Sequence, residues 1–206
     1  MPDSVTHSTR DKILIAAATM LGENPTSRLS VRAVAARAGV SVGSLRHFFP
    51  TQQELIDTVV AALYDLDIPD DPMHDTAVPP AERLLACLQL LLSQVGTGDR
   101  ARQYIRALHD AYVVSPPSED ATHSFLALER LNLHQIAKWL RVLRDEQALA
   151  ADDLDIAARF LGTVVNGLSL ERALPGDRGR LPFEAMTLRI AVASILRDEN
   201  AHVEKR

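Results

Sequence analysis

Apolar residues recur at helical spacing almost from the start of this chain. Ile13, Ala16, Ala17, Met20 and Leu21 keep the three-and-four step of one helix face, with Ser8 or Thr9 placed to cap it and Gly22 to stop it. Ser30 suits the N-cap of a second helix, barely two turns long, whose inward positions are Val31, Val34, Ala35 and Ala38. Gly39 follows where a left-handed residue is needed. Ser41 caps a third short helix running to about Phe48. Pro50-Thr51-x-x-Glu54 then supplies a breaker and a capping box for a fourth, which carries the pattern to about Tyr64.

The next stretch, DLDIPDDPMHDTAVPP, has no sustained period and reads as a connection. Beyond it the spacing predicts helices over about Ala81–Val95, Arg100–Val114 and Thr122–Gln147, the last two separated by SPPSED. A stripe such as Leu84, Leu88, Leu91, Leu92 and Val95 suits a bundle. Two final helices, about Asp152–Leu174 and Phe183–Asp198, flank PGDRGRLP and are apolar on more than one side, so each needs two packing partners. The expectation is an all-α chain: a helix-turn-helix head over residues 1–62 and a helical bundle over 63–206.

Composition and charge sharpen this picture in three places. Aromatic residues make up only 4% while Ala and Leu abound, which favours helix over sheet. The net charge of −5 argues against nucleic acid until its distribution is considered. Residues 1–52 hold six basic side chains (Arg10, Lys12, Arg28, Arg32, Arg37, Arg46) against three acidic ones (Asp3, Asp11, Glu23), so a +3 head precedes a −8 body. The lone cysteine, Cys87, has no partner for an internal disulfide and reads as a small buried hydrophobe. MPDSVTHSTR contains no apolar leader, and no segment offers eighteen apolar residues free of charge, so a cytoplasmic location with no membrane contact is expected.

The run from Val31 to Phe49 carries the candidate chemistry. Two short helices crossing steeply need a small residue at the crossing, glycine at the turn and apolar residues inward. Ala35, Gly39, and Val34, Ala38 and Val40 meet these demands, with Leu45 and Phe48 expected to anchor the second helix. By subtraction Val42, Gly43, Ser44, Arg46 and His47 point outward, where a major groove can be read. Each has a plainer alternative: Ser30, Ser41 and Thr51 are first of all caps, and Arg32 and Arg37 are also ordinary solvated charges.

The run ILIAAATMLGENPTSRLSVRAVAARAGVSVGSLRHFFPTQQELI resembles the N-terminal domain of the tetracycline-repressor (TetR) family, over roughly residues 9–60. That family shows an apolar-Ala-Ala first helix, an Ile-Ala-x-x-Ala-Gly-Val-Ser turn and a short helix ending His-Phe. VNGLSLERAL farther on is also similar to family members; otherwise residues 61–206 match only in helical layout. The resemblance implies DNA contacts at Ser30, Arg32, Ser41, Ser44 and His47, beside Val42 from the outward face. Where the family often has Leu-Tyr-Tyr-His-Phe, this chain has Leu45-Arg46-His47-Phe48-Phe49, and Gln52 stands where a phosphate-binding Lys is common. Gln52 can donate a hydrogen bond without charge, and Arg46 can compensate by clamping a phosphate or reading guanine.

The resemblance further implies a homodimer on pseudo-palindromic double-stranded DNA and a small-molecule effector in the body. Candidate effector contacts are Tyr104, His109, Tyr112, His134, Trp139, Phe160 and Asn166, against the alternative of ordinary packing. Candidate dimer contacts are Ala157, Leu161, Val164, Leu168, Leu188, Val192 and Ile195. An enzyme is not expected: the chain has no Gly-rich phosphate loop, paired-Cys metal spacing, HExxH or GxSxG, and neither cofactor nor metal is called for. The expected function is a DNA-binding regulator, a repressor relieved by its ligand; the alternative is a constitutive helical DNA-binding protein without ligand control.

Overall fold

The computed structural model describes residues 8–23, 30–64, 71–114, 116–176 and 180–197. Among the described residues the chain is all-α, with α1 (Thr9–Glu23), α2 (Val31–Ala38), α3 (Val42–Phe48), α4 (Gln52–Tyr64), α5 (Pro80–Val95), α6 (Gly98–Tyr112), α7 (Glu119–Asp145), α8 (Leu154–Ala173) and α9 (Arg180–Ile195). The side chain of Leu21 and residues 65–70 of the Asp/Pro stretch, both read above, lie outside the described residues.

Packing divides the chain into two units, Met1–Leu66 with Leu108–Leu131, and Asp67–Ala107 with Asn132–Arg206. In the first, α1 packs on α2 and α4 while α2 crosses α3. Its core holds Ile13, Ala17, Val34, Ala35, Leu45, Phe49, Leu55, Ile56 and Val59, together with Ala127 from α7. Ala35, only 1% exposed, lies at the helix crossing, where a larger side chain would push α2 and α3 apart. Gly39 has φ +67°, the left-handed backbone that ends α2, and its N–H donates to Ala36 O.

One expectation about this core is wrong. Leu45 is fully buried, but the residue that anchors α3 beside it is Phe49, 1% exposed, and not Phe48, which is 37% exposed. The helix ends at Phe48; Phe49 is its C-cap with φ −136° and ψ 89°, and this turn out of the helix carries its ring inward. Phe48 and Phe49 both lie about one turn from Leu45, about 60° to one side and about 40° to the other, and it is Phe49 that packs inward.

In the second unit α5 packs on α8 and α9 around Leu84, Leu88, Leu92, Trp139, Leu140, Leu161, Leu168, Leu188 and Val192. The Asp/Pro stretch is more than a connection here. Asp71 caps a 3-10 turn, Pro72–His74, whose Met73 is fully buried in this core and whose carbonyl accepts from buried Arg83 at 2.8 Å. Arg83 also donates to both carboxylate oxygens of Glu146, and that guanidinium holds the Glu146 carboxyl below the usual carboxylate range. Cys87 is buried as expected, and burial pushes its thiol pKa up. No described helix is long and apolar enough to cross a membrane.

Candidate nucleic-acid interface

Three hydroxyls fix the ends of α2, α3 and α4. Ser30 Oγ accepts from Ala33 N–H at 3.2 Å, Ser41 Oγ from Ser44 N–H at 3.0 Å and Thr51 Oγ1 from Glu54 N–H at 3.0 Å. Each hydroxyl keeps its own proton to donate, so capping does not exclude a phosphate contact. The Ser41 cap sets where α3 begins, and with Leu45 and Phe49 buried the side of it left open is fixed.

Each residue turns an α-helix by about 100°. With Leu45 and Phe49 inward, Gly43, Ser44 and His47 occupy the far side of α3, and Arg46 and Phe48 fall on its two flanks. Val42, Gly43, Arg46 and His47 are exposed and Ser44 is half-buried. The His47 ring meets Phe48 edge-on, with centroids 5.2 Å apart and planes at 74°. Ser30 is half-buried and Arg32 exposed at the start of α2; Ser41 is exposed, and Gln52 is half-buried as the first residue of α4. The eight residues expected to touch DNA therefore fall on the open face of α3 and the starts of α2, α3 and α4. Phe48, read from the sequence as core, joins this surface; the signal that could have found it is the doubled Phe48-Phe49, of which a seven-residue helix can bury only one.

The effector shortlist does not come together in the same way. His109 and Tyr112 belong to the first unit, where His109 is exposed and Tyr112 lies 4.9 Å from the Phe125 ring. In the second unit Trp139 is buried, its indole N–H donating to Asp71 at 2.8 Å, which is a structural role. Tyr104 packs in a separate small cluster with Val95, Ala101 and Ala173, and its burial raises the phenol pKa. His134 is half-buried on α7, while Phe160 and Asn166 are exposed on α8. Trp139 and Tyr104 thus pack in different clusters of the second unit.

The residues read as dimer contacts pack inward. Ala157, Leu161, Leu168, Leu188, Val192 and Ile195 are buried in the second unit's own core, and Val164 packs against it half-buried. The expectation that α8 and α9 are apolar on two sides does hold: Ile156, Phe160 and Leu170 on α8, its C-cap Leu174, and Phe183, Met186 and Ile190 on α9 are exposed. With exposed Thr163, Gly167 and Ala193 they keep alternating steps of three and four, one stripe per helix.

A short, capped recognition helix with a polar and basic open face defines a helix-turn-helix DNA-binding protein. Residues 13–59 match the family model described as bacterial regulatory proteins, tetR family. The HTH-type transcriptional regulator PksA of Bacillus subtilis (strain 168) is 28% identical over 222 aligned positions, covering all of this chain and 99% of that protein. The HTH-type transcriptional repressor KstR2 of Mycolicibacterium smegmatis is 26% identical over 159 positions, 75% of this chain and 74% of that protein. Among solved structures, the SmeT–triclosan complex superposes with a TM-score of 0.51 at 22% identity, covering 94% of each chain, and shares the fold. Residues 13–59 thus match the tetR family, and the chain along its length is similar to regulators of that kind. It is a DNA-binding transcriptional regulator and not an enzyme.

Proposed function

We propose that the protein is a homodimeric repressor that grips a pseudo-palindromic operator through α3 and lets go when a small molecule binds its C-terminal helices. The observation that carries this reading is the pair of open faces: a polar, basic face on α3 and two apolar stripes on α8 and α9. Ser30, Arg32, Ser41, Val42, Ser44, Arg46, His47 and Gln52 make the DNA contacts. Pairing the stripes of two copies removes Ile156, Phe160, Met186 and Ile190 from water and sets two heads on one duplex. Residues 1–62 act as the DNA-binding domain and 63–206 as the ligand-binding and dimerisation domain, in the cytoplasm.

Two relatives support the regulatory half of the proposal: KstR2 is named a repressor, and SmeT was solved with triclosan. A ligand that prefers one body conformation weakens the operator complex by the same factor that the operator weakens ligand binding. Selection from random duplexes, followed by a screen of small apolar compounds for raised melting temperature, tests the reading. The expected result is an enriched two-fold motif and at least one stabilising compound that dissolves the complex in a mobility assay. Stabilising compounds that leave the complex intact would remove ligand-relieved repression.

A further inference from the structure

Arg10 is absent from every contact assigned so far. It is the second residue of α1, exposed, and its guanidinium carbon lies 5.6 Å from the centroid of the Phe49 ring. Phe49 is the buried C-cap of α3, with its N–H donating to Leu45 O at 2.8 Å, and Thr51, two residues on, caps α4. This contact places a cation at the junction of the recognition helix and the start of α4. The adjacent carboxylate of Asp11 is turned onto its own helix start, where Oδ2 accepts from the Ser8 hydroxyl at 2.7 Å and from Ser8 N–H at 3.2 Å.

We infer that Arg10 is a DNA phosphate contact of the recognition unit, pre-positioned by the ring of Phe49. A guanidinium stacks through its flat face and donates through its edge, so one side chain serves the ring and a phosphate together. Fixing the side chain on a buried ring before DNA arrives lowers the ordering cost of the contact. A phosphate contact carries no base preference of its own and adds to salt dependence. The inference rests on the proposal that α3 enters DNA.

The test is the salt dependence of binding to a duplex of arbitrary sequence and to a selected duplex, for the wild type, Arg10→Gln and Arg10→Lys, with Arg144→Gln as a distant control. Each phosphate contact contributes about 0.9 to the slope of log affinity against log salt. Arg10→Gln is expected to lose about that much for each protomer bound, equally on both duplexes. Arg10→Lys and Arg144→Gln are expected to keep the wild-type slope. A wild-type slope in Arg10→Gln, with or without a lowered melting temperature, would reduce Arg10 to packing on Phe49. Arg10→Met, which keeps the stem over the ring, replaces the Gln variant if that one fails to fold. A wild type with no salt-dependent affinity for any duplex overturns the DNA reading itself, and the Arg10 contact with it.

Discussion

The open side of α3 and the open sides of α8 and α9 are both surfaces that the chain leaves uncovered, yet their chemistry is opposite. On α3, seven residues long, Gly43, Ser44, Arg46 and His47 face out around a single buried leucine. On α8, twenty residues long, Ile156, Phe160 and Leu170 face out while Ala157, Leu161, Val165 and Leu168 are buried behind them. Small and cationic groups fit a groove edged with phosphate; apolar stripes at alternating steps of three and four fit a copy of themselves. The means of support differ as well. Serine and threonine caps fix the ends of the short helices in the first unit, whereas the second unit is also tied by Arg83–Glu146 and by Arg172, which donates to both oxygens of Glu184 at 2.6 Å.

The sharpest way to break the comparison is to place one charge on each side of α9. Val192→Glu puts a carboxylate in the chain's own core and is expected to unfold the second unit, an effect of about 3–5 kcal/mol for an uncompensated buried charge. Ile190→Glu, at a residue 63% exposed, is expected to leave the melting of the separate chain near wild type and to convert dimer to monomer in sedimentation. A dimer that survives Ile190→Glu would place the interface elsewhere.

The doubled phenylalanine gives a second contrast of similar size. Phe49→Ala removes a buried ring and is expected to cost about 3–5 kcal/mol in thermal or denaturant unfolding. Phe48→Ala, at the surface, is expected to stay within about 0.5 kcal/mol. Equal losses would mean that both rings are core.

A smaller effect concerns the tie under the 3-10 turn. Glu146→Gln removes the charge facing buried Arg83 and is expected to cost about 1–3 kcal/mol at neutral pH. Because Arg83 lowers the Glu146 pKa in the folded state, the stabilisation is complete above the ordinary glutamate value of about 4.3 and is lost as pH falls through the lower folded value. Melting curves of wild type and variant should therefore converge in acid. A gap that stays constant to below about pH 3 would contradict this pairing.

Much of the head was legible in the sequence because its devices are local. Ser30, Ser41, Gly39 and Thr51 each act within three or four residues, and each does what its type and spacing imply. Phe48 and Phe49 were exchanged because both lie about one turn from Leu45, and which of them is buried is decided by the packing of the rest of the core. On α8 and α9 the periodicity shows that two apolar faces exist, but it cannot say which one meets the chain's own core; Leu161 and Phe160 look alike until α5 and α9 are in place. Met73 was hidden for a related reason, since a buried 3-10 turn in an Asp/Pro-rich stretch has no period to detect. The effector residues carry the weakest sequence signal, being scattered aromatics and histidines that pack as readily as they bind.

The proposal that the open face of α3 reads DNA bears most directly on Arg46, an exposed cation of that helix. The direct measurement is the affinity of wild type and Arg46→Ala for a selected duplex and for a scrambled one of equal length, with melting temperature as control. If Arg46 reads a base, the variant loses about 1–3 kcal/mol on the selected duplex and nothing on the scrambled one; if it clamps a phosphate, both affinities fall together. Either result, with folding unchanged, supports the account. Wild-type affinity for both duplexes would contradict it.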